Sequence, residues 1–228
     1  MSNSIRGIMF DMDNTLLKST IDFAAMKQDT YDFLRSRRLL PEGVGLEGQT
    51  TSTLIESAVE VKRMSEEQLE QVWNIAVAHE KRGMKGARLE PGVTSLLEQL
   101  RGRFLLTIVT NNSVTAAMQA LEENRIAAYF DCVAGRETMG RLKPYPDGFL
   151  SILGQYPDIH RNEWLAVGDS WIDGKAAAEA GVPFIAYRAD EAGLNRANVK
   201  PAASIRHMGE LLPILGVEVQ PKEEDTSL

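Results

Sequence analysis

The chain of 228 residues has one cysteine, Cys132, and three histidines, His79, His160 and His207. A single cysteine excludes an internal disulfide. Its setting, Tyr129-Phe130-Asp131-Cys132-Val133-Ala134, suits a small apolar residue in or beside a strand better than a nucleophilic thiol. The histidines are scattered without ligand spacing, which points to packing or surface roles rather than to a histidine metal centre. No apolar run approaches the roughly 20 residues that a membrane helix needs, and the N-terminus lacks a signal-type apolar core. Membrane association is therefore not expected, and the cytoplasm is the expected compartment. Basic residues number 25 against 32 acidic ones, giving a net charge of -7. A nucleic-acid binder would show a basic face, so no nucleic-acid partner is expected. Internal repeats and low-complexity tracts are also missing.

What is present is an ordinary globular balance, 43% hydrophobic and 25% charged, long enough for one large domain or a core plus a smaller one. A short apolar segment, Ile8-Met9-Phe10, reads as a buried strand. Helical periodicity follows. Phe23, Met26, Thr30, Phe33 and Leu34 share one helix face, and Leu54, Ala58 and Val61 share the next. Ser65-Glu66-Glu67-Gln68 has the form of a capping box, and Leu69, Val72, Trp73, Ala76 and Val77 form the stripe behind it. From Pro91-Gly92 onward, helix and strand signals alternate. Strands are expected at 104–109, 132–134, 164–167 and 184–187, with helices between them and Gly181 closing the helix over 172–180. Repeated alternation of this kind predicts a parallel sheet with helices on both faces.

The fold expected is therefore α/β: a Rossmann-like, doubly wound parallel sheet core with an inserted α-helical cap domain. The core is discontinuous, residues 1–17 plus 89–219; the cap spans 18–88; and residues 220–228, with Glu223, Glu224 and Asp225, form a disordered tail.

Polar groups gather where the strands end. Asp11 and Asp13 follow the first strand at spacing i, i+2, where open α/β sheets bind ligands. Two neighbouring carboxylates repel unless a cation lies between them. Thr110-Asn111-Asn112-Ser113 follows the strand at 104–109 and offers hydroxyl, amide and N–H groups to an anion. Lys143 precedes a proline-rich turn, and Asp169 and Asp173 follow the strand at 164–167. Singly, each segment has a plainer explanation, since strand-end Asp and Thr/Asn residues commonly form turns or cap helices, and lysines are usually solvated. In order, each at a strand end, they suit phosphoryl transfer. Asp11 serves as carboxylate nucleophile and Asp13 as general acid and then base. Asp169, with Asp173, holds a divalent cation of the Mg²⁺ type, while Thr110, Asn111 and Lys143 bind and orient the phosphoryl group.

These segments resemble the four signature motifs of the haloacid dehalogenase superfamily: Asp11-Met12-Asp13-Asn14-Thr15-Leu16, Thr110-Asn111, Lys143-Pro144, and Gly168-Asp169-Ser170 with Asp173. The helical insert is similar to the cap of the phosphoglycolate-phosphatase-like subgroup. The resemblance implies an aspartyl-phosphate intermediate and Mg²⁺ held by Asp11, the backbone carbonyl of Asp13, Asp169 and Asp173, the last directly or one layer out. Asn14 stands where many members have Gly; Asn tolerates the left-handed turn, so the departure is neutral. Asp13 argues against a dehalogenase, which lacks the second acid, and against a phosphonoacetaldehyde hydrolase. A β-phosphoglucomutase-like phosphotransferase keeps both acids and stays an alternative. A catalytically silent phospho-ligand-binding protein ranks below it, and a phospho-receiver module lacks both the insert and the length.

The expected partner is a small phosphorylated metabolite, phosphoglycolate-like or a sugar phosphate, and the expected state is monomer or homodimer. Lys18 and Ser19, the loop 43–53, and Lys85 or Arg88 are the candidates to read the rest of the substrate. Trp73 is expected in the cap core and Trp164 in strand packing. Trp171 is open between packing and substrate contact, and Arg35, Arg37 and Arg38 are expected on a solvated face.

Overall fold

The computed structural model describes residues 5–61 and 63–218; the tail expected to be disordered, 220–228, lies outside them. In chain order the elements are β1 (Gly7–Phe10), β2 (Leu17–Lys18), α1 (Phe23–Ser36), α2 (Thr51–Glu60), α3 (Glu66–Met84), β3 (Arg88–Leu89), α4 (Val93–Leu100) and β4 (Leu105–Val109). They continue with α5 (Val114–Glu123), β5 (Cys132–Ala134), α6 (Asp147–Gln155), β6 (Trp164–Gly168), α7 (Trp171–Ala180), β7 (Phe184–Tyr187), α8 (Glu191–Arg196), β8 (Ala203–Ile205) and α9 (Leu211–Ile214).

Six strands form one parallel sheet in the order β5-β4-β1-β6-β7-β8. The chain starts in the middle of the sheet, between β4 and β6, and winds outward in both directions. The doubly wound α/β core is thus as the sequence reading has it. Strand alternation divides the apolar residues between two faces. Ile8 and Phe10 pack with the apolar faces of α4 and α5. Met9 points the other way, with Phe149 and Ile152 of α6 and the alanines of α7. Gly7 is forced by proximity: a Cβ there would collide with the ring of Trp164, which is fully buried on the neighbouring strand.

Between β1 and α4, a two-stranded antiparallel ribbon, β2 with β3, brackets the helices α1, α2 and α3. These helices have their own apolar centre, built on Leu34, Leu54, Ile55, Ala58 and Val72. Ser65 and Gln68 form the reciprocal cap at the start of α3. His79 is buried and bonds Asp29 at 2.8 Å, tying α3 to α1. Met26, Ala76 and Met84 also join the core of the main sheet, so the helical unit is packed onto it. Arg35 and Arg37 are exposed and stack on Tyr31 and Phe33 of their own helix. Among the described residues, no helix is long and apolar enough to cross a membrane.

Candidate active site

The carboxyl ends of the central strands converge on one cavity of about 460 Å³, with the helical unit covering it. Asp11 follows β1, Thr110 follows β4 and Asp169 follows β6, so three adjacent strands deliver these side chains side by side. Asn14 has φ 57°, the left-handed turn that carries the chain from Asp13 back towards β2. All of Asp11, Asp13, Thr110, Asn111, Lys143, Asp169 and Asp173 line the cavity.

Lys143 is the centre of the charge arrangement. Its Nζ donates to Asp11 Oδ1 at 2.7 Å, Asp173 Oδ1 at 2.6 Å and the Val109 carbonyl at 2.7 Å. All three ammonium protons therefore have an acceptor. Burial works against this charge, but Asp11 and Asp173 outweigh it and hold the pKa above the usual lysine value. The lysine expected to touch phosphate is thus turned onto the acids. The second oxygen of Asp173 accepts from the Ser170 N–H at 3.1 Å, so both of its oxygens are engaged.

Asp11, Asp169 and Asp173 each offer a carboxylate oxygen within 4.8 Å of the others. Burial, then the charges of Asp11 and Asp173, push Asp169 up to about 9. Burial raises Asp173 to about 6, with Lys143 opposing the rise. Clustered hard oxygens in need of positive charge fit an Mg²⁺-type ion. Asp13 is pushed up to about 7 by burial and by Asp11. Its Oδ2 accepts from Asn112 Nδ2 at 2.6 Å, while the buried Oδ1 has no partner.

Asn111, expected to hold substrate, lines the cavity and is bonded within the protein. Its Oδ1 accepts from the Lys143 N–H at 2.9 Å, and its Nδ2 donates to the Lys143 carbonyl at 3.0 Å and to Ser52 Oγ at 3.3 Å. The amide fastens the lysine loop. The expected anion cradle is also partly occupied: the Val114 N–H donates to Glu137 at 2.8 Å, and the Asn112 N–H donates to Thr110 Oγ1 at 3.2 Å.

Over the cavity, Gln49, Thr50, Thr51 and Ser52 come from the loop and helix start that the sequence singled out. Of the hinge candidates, Lys18, Lys85 and Arg88 are exposed away from the lining, while the buried Ser19 hydroxyl lies close enough to Asp13 to oppose the rise of its pKa. Trp73 lines the cavity as well as packing in the cap. Trp171 packs on the second face of the sheet, while its neighbours Ser170 and Ile172 face the cavity.

Lys27, Glu80 and Arg136 also line the cavity and were not expected there. Arg136 pairs with Glu80, donates to the Asn111 carbonyl at 3.1 Å and lies over the Trp73 ring. Burial raises the Glu80 pKa against the opposing pull of Arg136. A signal for both exists in the sequence. Glu80 continues the apolar stripe of α3 as a charge on a buried face, and Arg136 follows the edge strand β5, beside the strand that leads to Thr110.

The family model described as haloacid dehalogenase-like hydrolase matches residues 8–187. The chain belongs to this family. Phosphoglycolate phosphatase of Yersinia pseudotuberculosis is 30% identical over 227 residues, covering 94% of each chain. Phosphoglycolate phosphatase of Rhodobacter capsulatus is 27% identical over 79% of this chain and 83% of its own length. Among solved structures, a predicted phosphoglycolate phosphatase from Haemophilus somnus superposes with TM-score 0.67 at 22% identity, covering 94% of this chain and 99% of the other. A Bacillus subtilis protein crystallised with magnesium superposes with TM-score 0.64 at 22% identity, covering 94% and 100%. These last two likenesses establish the shared fold.

Proposed function

We propose that this hydrolase is an Mg²⁺-dependent phosphatase that cleaves a small phosphorylated metabolite, phosphoglycolate-like or a sugar phosphate, through an aspartyl-phosphate intermediate. The observation that carries this reading is the pairing of two unlike acids at one strand end. Asp11 is paired with the Lys143 ammonium at 2.7 Å, while Asp13 is pushed up to about 7 and can carry a proton near neutral pH. An acid oriented by a cation and an acid able to carry a proton suit a nucleophile and a general acid. The name shared by the curated relatives supports the same chemistry.

An Asp11 oxygen attacks phosphorus, the P–O bond to the leaving group breaks, and the Asp13 proton passes to the departing alkoxide. Asp13, now a carboxylate, takes a proton from water as that water attacks phosphorus; the Asp11–phosphorus bond breaks and inorganic phosphate leaves. Lys143 holds Asp11 in line and offsets the buried negative charge. Asp11, Asp169, Asp173 and the Asp13 carbonyl are the groups that would hold Mg²⁺, which would supply charge to neutralise the phosphoryl oxygens. The helices over residues 18–88 act as the cap that excludes water and reads the leaving group. The protein works in the cytoplasm, as monomer or homodimer.

The test is phosphate release from a panel of small phosphoesters with Mg²⁺ and then with EDTA. Release that EDTA abolishes and that Asp11→Asn removes is the expected result. Silence on the whole panel, or a fully active Asp11→Asn variant, sinks the proposal.

A further inference from the structure

Ser52 stands in the first turn of α2, in the helical cap, yet its hydroxyl donates to a main-chain carbonyl of the core, that of Lys143, at 3.1 Å. The contact is buried, with Ser52 6% exposed and Lys143 2% exposed. The same hydroxyl accepts from Asn111 Nδ2, and that amide brackets Lys143 on both sides by taking its N–H and donating to its carbonyl. A side-chain amide that closes on one residue's N–H and C=O fixes the two peptide units that flank that residue. Here the residue so fixed carries the ammonium that holds Asp11. A second cap link reaches the same asparagine, because Arg136 joins Glu80 of α3 to the Asn111 carbonyl.

Two cap helices thus converge on Asn111, and Asn111 in turn holds Lys143. We propose that Ser52 is a positioning residue that acts on Lys143 both through its carbonyl and through Asn111, so that seating α2 on the core completes the alignment of the lysine with Asp11. This rests on the phosphatase reading for its catalytic consequence, but not for its geometry. It gives cap closure a chemical effect beyond excluding water: an open cap removes one of the bonds that hold the lysine peptide, and full nucleophile alignment returns only on closure. Ser52 itself does not need to touch the substrate.

The test compares wild type, Ser52→Ala and Ser52→Thr in the full chain. NMR-detected hydrogen exchange follows the Lys143 amide, which is bonded to Asn111, and steady-state kinetics follows phosphate release with Mg²⁺. Ser52→Ala is expected to speed exchange at Lys143 and lower kcat about tenfold while KM moves less than about twofold. Ser52→Thr keeps the hydroxyl and is expected to restore both readouts. Unchanged Lys143 exchange in Ser52→Ala overturns the proposal. So does an effect confined to KM, which would place Ser52 on the substrate, or a threonine variant as impaired as the alanine. A wild type that releases no phosphate defeats the phosphatase reading instead, and the exchange comparison still decides whether Ser52 governs the lysine peptide.

Discussion

Lys143 Nζ lies 2.6 Å from Asp173 Oδ1, and this ion pair is buried on both sides, with 2% and 4% of the side chains exposed. The same ammonium serves Asp11. Removing it leaves two buried carboxylates without their counter-charge, and breaking a buried pair from one side costs about 3–5 kcal/mol. Lys143→Ala is therefore expected to lose stability of that order in urea unfolding without metal, beyond any effect on activity. Combining it with Asp173→Asn is expected to recover part of the loss, because one orphaned charge goes with it. A metal-free Lys143→Ala protein as stable as wild type would show that the acids accept protons or water more cheaply than this arrangement implies.

The acids around the lysine also set how metal-free stability varies with pH. Asp13, Asp169 and Asp173 are raised to about 7, 9 and 6. A free aspartate titrates near 4. Between these values the folded chain holds more protons than the unfolded one, so the contribution of these groups to stability falls as pH rises. The window runs from about pH 4 to about pH 9, the upper edge set by Asp169. Asp169→Asn is expected to flatten the decline of metal-free melting temperature across this range. Mg²⁺ is expected to stabilise wild type more at about pH 8 than at about pH 5, because the ion requires the ionised oxygens. Identical pH profiles for wild type and Asp169→Asn without metal would refute the assignment of that strain to Asp169.

Much of the fold was legible because its signals are local. The strand over 132–134 and the strand over 184–187 appear at the residues read from their β-forming runs, and Gly181 ends α7 with φ 76°. The strand-end acids were legible because burial makes a carboxylate conspicuous behind an apolar run. The ribbon β2–β3 was not, since two-residue strands carry no period. Strand β8, three residues between short helices, escaped for the same reason. The bond from Ser52 to the Lys143 carbonyl spans 91 positions and ends on the backbone, which has no residue type to read. Asn111 looked like an anion ligand because its sequence neighbours are polar; only the arrival of the lysine loop, 32 residues later, decides what its amide meets.

Among the described residues, Arg136–Glu80 is a buried charge pair that joins core to cap, with 11% and 3% of the side chains exposed. Glu80 Oε2 and Arg136 Nε have no partner, so the pair is only partly satisfied by the protein. A half-satisfied buried pair contributes little net stability, yet losing one member is costly. Glu80→Leu leaves the guanidinium against Trp73 and the Asn111 carbonyl without its counter-charge, and a loss of about 3 kcal/mol is expected. Arg136→Met alone strands Glu80 and is expected to cost a similar amount. The double variant Glu80→Leu/Arg136→Met replaces both charges with apolar groups and is expected to be more stable than either single one, by about 1–3 kcal/mol of coupling. Urea unfolding of the four proteins measures this cycle. Additive losses would mean that the two side chains are not energetically paired, and that the cap is held to the core by other contacts, among them the apolar ones of Met26, Ala76 and Met84 and the bond from Ser52.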